Sequence, residues 1–351
     1  MTSAEKNTET IIRTWLSPKP QEIGDSVEEF VRILKGPTLL QIKGRDSSRS
    51  RAISTLLHGN EPSGIKAIFR WLKDGSVPCV DVLVLVASVD AALEEPGFFF
   101  RHLDHQRDLN RCFNAPFEDV PGKLAKAMLS ILHDKKPEAL IDIHNTSGSG
   151  PSFAVTINSD EKHRALTSLF TQRLIHTDLR LGAIMEFSEN DVPTVTIECG
   201  GAQDDEAHEV AYDGIKRYIS ELDILTEREA EWGIELLQHP IRVELKEDAT
   251  ITFGESAQIN TDITLLPSIE NHNFGIISPH EPLGWLGQKG ISCFVAVNTE
   301  GEDKLGKILR EEGCVLYAAQ PIRAFMITTN AAIAKSDCLF YAVADHGGAI
   351  R

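Results

Sequence analysis

The residues best suited to chemistry sit in a few short stretches. His58 and Glu61 are three positions apart in His58-Gly59-Asn60-Glu61-Pro62, directly after an apolar run containing Ile53, Leu56 and Leu57. An apolar run that stops at Gly, Asn and Pro reads as a buried strand ending in a loop. In α/β sheets that edge is where ligands bind. Imidazole and carboxylate are both good Zn²⁺ ligands, so the pair supplies half of a tetrahedral site. His144 closes a second apolar run, 139–143, in the same manner. It offers the third protein ligand of a catalytic zinc, whose fourth position stays open. Glu198 ends another run, 192–197, and precedes Cys199-Gly200-Gly201, where the backbone can turn sharply. A carboxylate beside a metal centre can take a proton from water and pass it to a leaving nitrogen. Arg101, Arg107 and Arg111, with Asn110, bring positive charge to an otherwise acidic chain. Arginine grips carboxylates with a two-pronged fork, and asparagine adds a hydrogen bond. Each of these groups also reads as an ordinary cap or surface residue when taken singly. Taken together they point to metal-assisted hydrolysis.

The elements that must position them alternate between strand and helix. Strands are expected at 38–42, from a turn at 44–48 up to His58, and at 80–87, 139–143, 153–157 and 192–197. Helices are expected at 64–73, 123–133 and 162–175, with 204–237 mainly helical and 1–36 a polar lead followed by helical pieces. A long aperiodic loop, 88–117, carries the arginines; loops of that length in compact domains are often functional. Strand–helix alternation predicts an α/β fold: a mostly parallel mixed sheet flanked by helices. From about Gln238 short strand-like runs separated by Gly, Pro and Asn predict a smaller C-terminal β-rich domain. The expected division is therefore 1–237, including the lead, and 238–351.

The composition narrows the function. With 351 residues, 42% hydrophobic and 25% charged, the chain is ordinary for a globular protein. A formal net charge of −17 gives no general attraction for nucleic acid or an anionic membrane. Met1 to Thr10 has no signal-peptide pattern, and no apolar run is long enough to span a bilayer. The cysteines at 79, 112, 199, 293, 314 and 338 form no C-x-x-C pair, so free thiols in a cytoplasmic protein are expected. No G-x-S-x-G elbow occurs. His208-Glu209 lacks the second histidine of an H-E-x-x-H helix, and His102, Asp104 and His105 have no partner cluster nearby in sequence.

H-G-N-E-x-x-G (58–64), R-D-L-N-R (107–111), D-I-H-N-T (142–146) and I-E-C-G (197–200), in this order, resemble the succinylglutamate desuccinylase/aspartoacylase family. That family has a zinc carboxypeptidase-like fold, and the resemblance covers about residues 40–230. It implies one Zn²⁺ per chain held by His58, Glu61 and His144, Glu198 as general base, and Asn110 and Arg111 on a substrate carboxylate. Asn145, within the third motif, is a further substrate-binding candidate. An arginine polarises the scissile carbonyl in this family; Arg101 is the candidate here, with Arg107 the alternative. Two features depart from aspartoacylases. The loop before Glu198 carries Glu186, Glu189 and Asp191 and no arginine, and Asn330-Ala331-Ala332-Ile333 lacks the tyrosine that follows N-E-A-A. The resemblance thus implies hydrolysis of the acyl amide of a small N-acylated amino acid other than N-acetylaspartate. The acidic loop is expected to repel a second carboxylate at close range, so the substrate is expected to be neutral or cationic at its far end, such as an N-acylated diamino acid. A zinc carboxypeptidase or peptide amidase, or a non-catalytic metal- or ligand-binding protein, are the competing readings. The sequence is compatible with a homo-oligomer.

Overall fold

The computed structural model describes residues 11–146, 148, 150–226, 233–298, 300–336 and 338–345. Its main element is a nine-stranded sheet. The strands are β1 (Arg13–Leu16), β2 (Thr38–Ile42), β3 (Asp46–Thr55), β4 (Val80–Val86), β5 (Leu140–Thr146), β6 (Phe153–Thr156), β7 (Arg173–His176), β8 (Thr194–Gly201) and β9 (Glu235–Gln238). They lie in the order β1-β2-β4-β3-β5-β8-β6-β7-β9, and neighbours run parallel except β2 against β4 and β6 against β8. Helices α1 (Val27–Leu34), α2 (Ser63–Asp74), α3 (Val89–Leu93), α4 (Val120–Lys135), α5 (Glu161–Ser168) and α6 (Asp205–Ser220) connect them.

Strand β4 explains why the sheet is covered on both sides. Successive strand side chains point to opposite faces. Val82, Val84 and Val86 enter a core with Phe30 of α1, Ile65 and Ile68 of α2, and Ile215 of α6. Leu83 and Leu85 enter another with Leu124, Met128 and Leu132 of α4. A strand buried on both faces reads as the continuous apolar run seen here.

Several elements differ from the sequence expectation. Helix α5 stops at Ser168, and Arg173–His176 is a strand rather than the end of that helix. Helix α6 stops at Ser220, and β9 then pairs parallel with β7. Runs as short as Leu174-Ile175 carry no distinguishing period, so their state is set by the sheet edge they extend. Strand β1 pairs with β2 inside the expected helical lead, its side chains mostly exposed. The expected turn at 44–48 overlaps the start of β3, whose register slips between Asp46 and Ser50.

Beyond Gln238 the chain forms β10 (Ile241–Leu245), β11 (Ile251–Phe253), β12 (Ile263–Leu265), β13 (Ile276–Ile277), β14 (Pro282–Leu286), β15 (Phe294–Val297), β16 (Leu309–Glu312), β17 (Val315–Ala318), β18 (Ile322–Phe325) and β19 (Phe340–Ala344). They make two five-stranded sheets, β13-β18-β19-β10-β15 and β11-β12-β14-β17-β16. Val243, Ile263, Leu265, Leu316 and Phe340 lie in their common core.

Arg51 on β3 is fully buried and ties the large sheet to the end of α6. Its guanidinium donates to the carbonyls of Tyr218, Glu221 and Leu222 and to Glu138 Oε2. Carbonyls at a helix C-terminus have no partner within the helix. Arg51→Met should therefore destabilise the fold by about 3 kcal/mol, since buried carbonyls lose their donor and Glu138 is left with Arg49 alone of its two arginine partners. Urea unfolding of the two proteins measures this; equal midpoints would refute it.

Candidate active site

The loop after β3 is shaped by its close neighbours. Leu56 adopts a left-handed φ of 52°, which turns the chain out of the strand. A Cβ on Gly59 would stand 2.6 Å from the backbone of Ala91 and Ala92, so only glycine fits. One on Gly64 would run into Thr55 and Ile143, so this glycine lets α2 lie close to the sheet. Between them the loop carries His58 and Glu61. Strand β5 brings His144 to the same end of the sheet, in register with Glu198 on β8. Central strands of one sheet thus deliver all of these groups to the edge where their carboxyl ends meet.

His58, Glu61 and His144 are buried and converge, with one potential ligand atom from each within 4.8 Å of the others. His58 Nδ1 lies 2.8 Å from Glu61 Oε1, and His144 Nδ1 lies 2.6 Å from Glu61 Oε2. The outer nitrogens face carboxylates: His58 Nε2 is 2.9 Å from Asp108 Oδ1, and His144 Nε2 is 2.6 Å from Asp142 Oδ2. An imidazole whose outer N–H is held by a carboxylate presents its inner nitrogen as a metal ligand. Two ring nitrogens and a carboxylate gathered within 4.8 Å of one another suit Zn²⁺, so the residues present fit that ion. Burial alone would raise the Glu61 carboxyl, but His58 and His144 overcome it and hold Glu61 far below the usual range. Burial would lower His144, yet Asp142 and Glu61 on its two sides push it well above an ordinary histidine.

Asp108 and Asp142 were not singled out from the sequence as functional. The signal was available, since Asp142 and His144 are two apart on a strand and so share a face. Asp142→Asn should weaken metal binding about 10–100-fold. Competition against a chelator of known affinity tests it, and unchanged affinity would remove Asp142 from the centre.

The arginines separate. Arg101 Nη1 lies 3.2 Å from Glu61 Oε1, and its Nε and Nη2 donate to Asp108 Oδ2 at 3.1 and 3.0 Å. Arg107 instead pairs with Asp119 at 2.6 Å on an exposed flank. Between the two candidates it is Arg101 that reaches the His-Glu-His group. Residues 109–111 form a single turn capped by Asp108, which accepts from Asn110 N at 2.8 Å. Asn110 Oδ1 accepts from Ile184 N at 3.0 Å, and Arg111 Nη1 donates to the Asn110 carbonyl at 2.9 Å. Asn110, Arg111 and Glu198 line one pocket. Glu198 Oε2 is buried without a hydrogen-bond partner among the described residues, and burial pushes this carboxyl up to about 7.

Asn145 sits differently from a substrate-binding residue. Its side chain accepts from Ser63 N at 3.0 Å and donates to Ser63 Oγ and the Gly200 carbonyl at 2.7 and 2.9 Å. Its backbone N–H reaches Glu61 Oε2 at 3.3 Å, so it props the loop and a ligand. The acidic loop also departs from expectation. Glu186 turns inward and accepts from the N–H groups of Leu181, Gly182 and Ala183. Glu189 pairs with Arg180, and Asp191 is exposed. None of these acids is among the described residues that line the pocket, so repulsion by them is not what would exclude a second carboxylate.

Phe325, Met326 and Tyr341, from β18, β19 and the residue after β18, also line the pocket. Nothing in the sequence pattern ties these distant residues to Glu198. Among the described residues His102, Asp104 and His105 form no metal-type group, and His208 contacts Ser63 and Lys66 instead. Burial pushes the Cys199 thiol well above its usual value, which leaves it no nucleophile.

No family model matches this sequence, and a search of curated proteins gives no match. Solved structures do match. A succinylglutamate desuccinylase/aspartoacylase from Rhodobacter sphaeroides gives a TM-score of 0.56 at 14% identity, over 88% of each chain. The product-bound ectoine utilization protein EutE (DoeB) from Ruegeria pomeroyi gives 0.53 at 14% identity, over 87% of this chain and 88% of that one. Murine aminoacylase 3 gives 0.51 at 18% identity, over 85% and 96%. The fold class is therefore carboxypeptidase-like α/β, with a large mostly parallel sheet and additional antiparallel sheets. Within that class, the chain has the fold of the succinylglutamate desuccinylase/aspartoacylase proteins over most of its length.

Proposed function

We propose that this protein is a zinc-dependent amidohydrolase that removes the acyl group from a small N-acylated amino acid. The observation that carries the reading is the buried His58-Glu61-His144 group, in register with Glu198 at the end of neighbouring strands. Zn²⁺ held by those ligands would polarise the scissile carbonyl and make water more acidic. Glu198 takes the proton from the attacking water and delivers it to the departing amine. Arg101, beside Glu61, supplies positive charge as the carbonyl oxygen becomes anionic. Asn110 and Arg111 hold the substrate carboxylate and so fix the amide in line with Glu198. Asn145 acts here as a positioning residue.

We further propose that the chain divides near 237/238 into a catalytic unit and a β-rich unit, linked through His239 and Pro240 between β9 and β10. Free thiols at Cys79, Cys112, Cys199, Cys293 and Cys314 support a reducing, cytoplasmic compartment. Among the described residues no helix is long and apolar enough to cross a membrane. The acidic net charge argues against nucleic acid as a partner.

The test is metal content of the purified protein together with hydrolysis of a panel of N-acyl amino acids and short peptides. About one Zn²⁺ per chain with turnover of N-acyl amino acids is expected. Turnover of peptides alone would favour the carboxypeptidase reading. A metal-free protein inert on both sets would overturn the proposal.

A further inference from the structure

We propose that the pocket beside Glu198 receives an apolar side chain, so that the substrate is an N-acylated α-amino acid with a single carboxylate and no second charge. The inference rests on the amidohydrolase reading and names its substrate class. Val155 and Ile175, paired across β6 and β7, line the pocket, as do Leu179, Leu181 and, from the C-terminal sheet, Phe325 and Tyr341. Among the described lining residues Arg111 and Glu198 alone have charged side chains. Arg111 matches one substrate carboxylate, and Glu198 is engaged with the reacting amide. Thr177 and Thr196 also line the pocket, but their hydroxyls already bond Leu179 N and Asp142. Beyond them and Asn110 a second carboxylate would face aliphatic and aromatic walls, with no further cation among the described lining residues, and removing a charge from water without a partner is strongly unfavourable. A cationic side chain meets the same obstacle, because Glu186 and Glu189 are engaged elsewhere and none of Glu186, Glu189 and Asp191 is among the described lining residues.

The wall is also built to hold its shape. Glu186 Oε1 accepts from Leu181 N at 2.7 Å, Gly182 N at 2.8 Å and Ala183 N at 3.0 Å, and its Oε2 accepts from Asn114. A buried carboxylate holding consecutive N–H groups fixes the segment that carries Leu181. A preformed apolar wall binds an apolar group without first paying to order itself. Each methylene it buries favours binding by about fourfold, so a leucine-sized side chain should gain tens of fold over alanine.

Calorimetric titration of the zinc-loaded protein with N-acetyl-L-leucine, N-acetyl-L-aspartate and Nα-acetyl-L-lysine tests this, with turnover of each measured in parallel. N-acetyl-leucine should bind at least tenfold tighter than either charged ligand. Leu181→Arg places a cation at a half-buried wall position and should shift the preference at least tenfold towards N-acetyl-aspartate; Leu179→Arg is the second variant should the first not fold. Equal or tighter binding of N-acetyl-aspartate by the wild type, or no binding of any of the set, overturns the pocket assignment. Preferential binding of N-acetyl-leucine without cleavage of any ligand sinks the hydrolase reading and leaves the pocket assignment standing. Cleavage of all three with equal affinity does the reverse.

Discussion

Glu198→Gln should lower turnover of an N-acyl amino acid about 10³-fold while leaving metal content at the wild-type level. The two halves of that expectation come from different features. The rate falls because a carboxamide can neither take a proton from water nor return one to the amine. Metal content holds because Glu198 is not among the groups that converge on Glu61 and the two histidines. Burial raises the Glu198 carboxyl to about 7, with neighbouring Glu61 pushing the same way and His144 opposing. A cation at the His-Glu-His centre would draw it back down, as any nearby positive charge does. Because Gln has nearly the same shape and Glu198 Oε2 accepts no hydrogen bond from the described residues, little stability should be lost. A variant retaining more than about a tenth of wild-type turnover would mean that another group moves the proton.

How much of this site is legible in the sequence depends on the range over which each residue is specified. His58, Glu61, His144 and Glu198 lie within a few residues of apolar runs whose ends are marked by glycine, asparagine or proline. Local pattern alone puts them at strand ends, and the α/β alternation puts those ends at one edge. Strands β7 and β9 were not legible, because Arg173–His176 and Glu235–Gln238 are too short to show a period and exist only as extensions of the sheet. The acidic loop misleads for a related reason. Charge in a sequence says nothing of direction, and Glu186 spends its charge on three backbone N–H groups. Asn145 looks like a ligand to substrate because it follows His144, yet strand alternation turns it to the opposite side, towards Ser63 and Gly200. Choosing between Arg101 and Arg107 required knowing where Asp119 lies, since that carboxylate claims Arg107. The contribution of Phe325 and Tyr341 to the pocket is a matter of how the C-terminal sheet meets the large one. No short-range pattern encodes such a contact.

Replacing His144 by Ala should abolish stoichiometric zinc binding and, with it, all measurable hydrolysis. His144 supplies one of the nitrogens aimed at the centre, and a site reduced to His58 and Glu61 falls below the three protein ligands of a catalytic zinc. Thermal unfolding gives an independent readout. A ligand that binds only the folded state stabilises it by RT ln(1 + [L]/Kd), about 4 kcal/mol at a thousandfold excess over Kd. The wild type should therefore lose several degrees in Tm on treatment with a chelator and regain them with Zn²⁺, whereas His144→Ala should respond to neither. The variant carries a separate cost as well. Glu61 and Asp142 are both buried against the imidazole, so removing it leaves two carboxylates without their shared partner. Breaking such a buried arrangement costs about 3–5 kcal/mol whether or not zinc is present. The two effects separate cleanly, because the first is the difference between zinc-loaded and chelated samples and the second is what remains in the chelated ones. A wild type whose Tm ignores both chelator and Zn²⁺ would sink the metal centre. If His144→Ala is simply less stable in both conditions, with the zinc-dependent increment intact, the centre stands but His144 is a support for Glu61 and not a ligand.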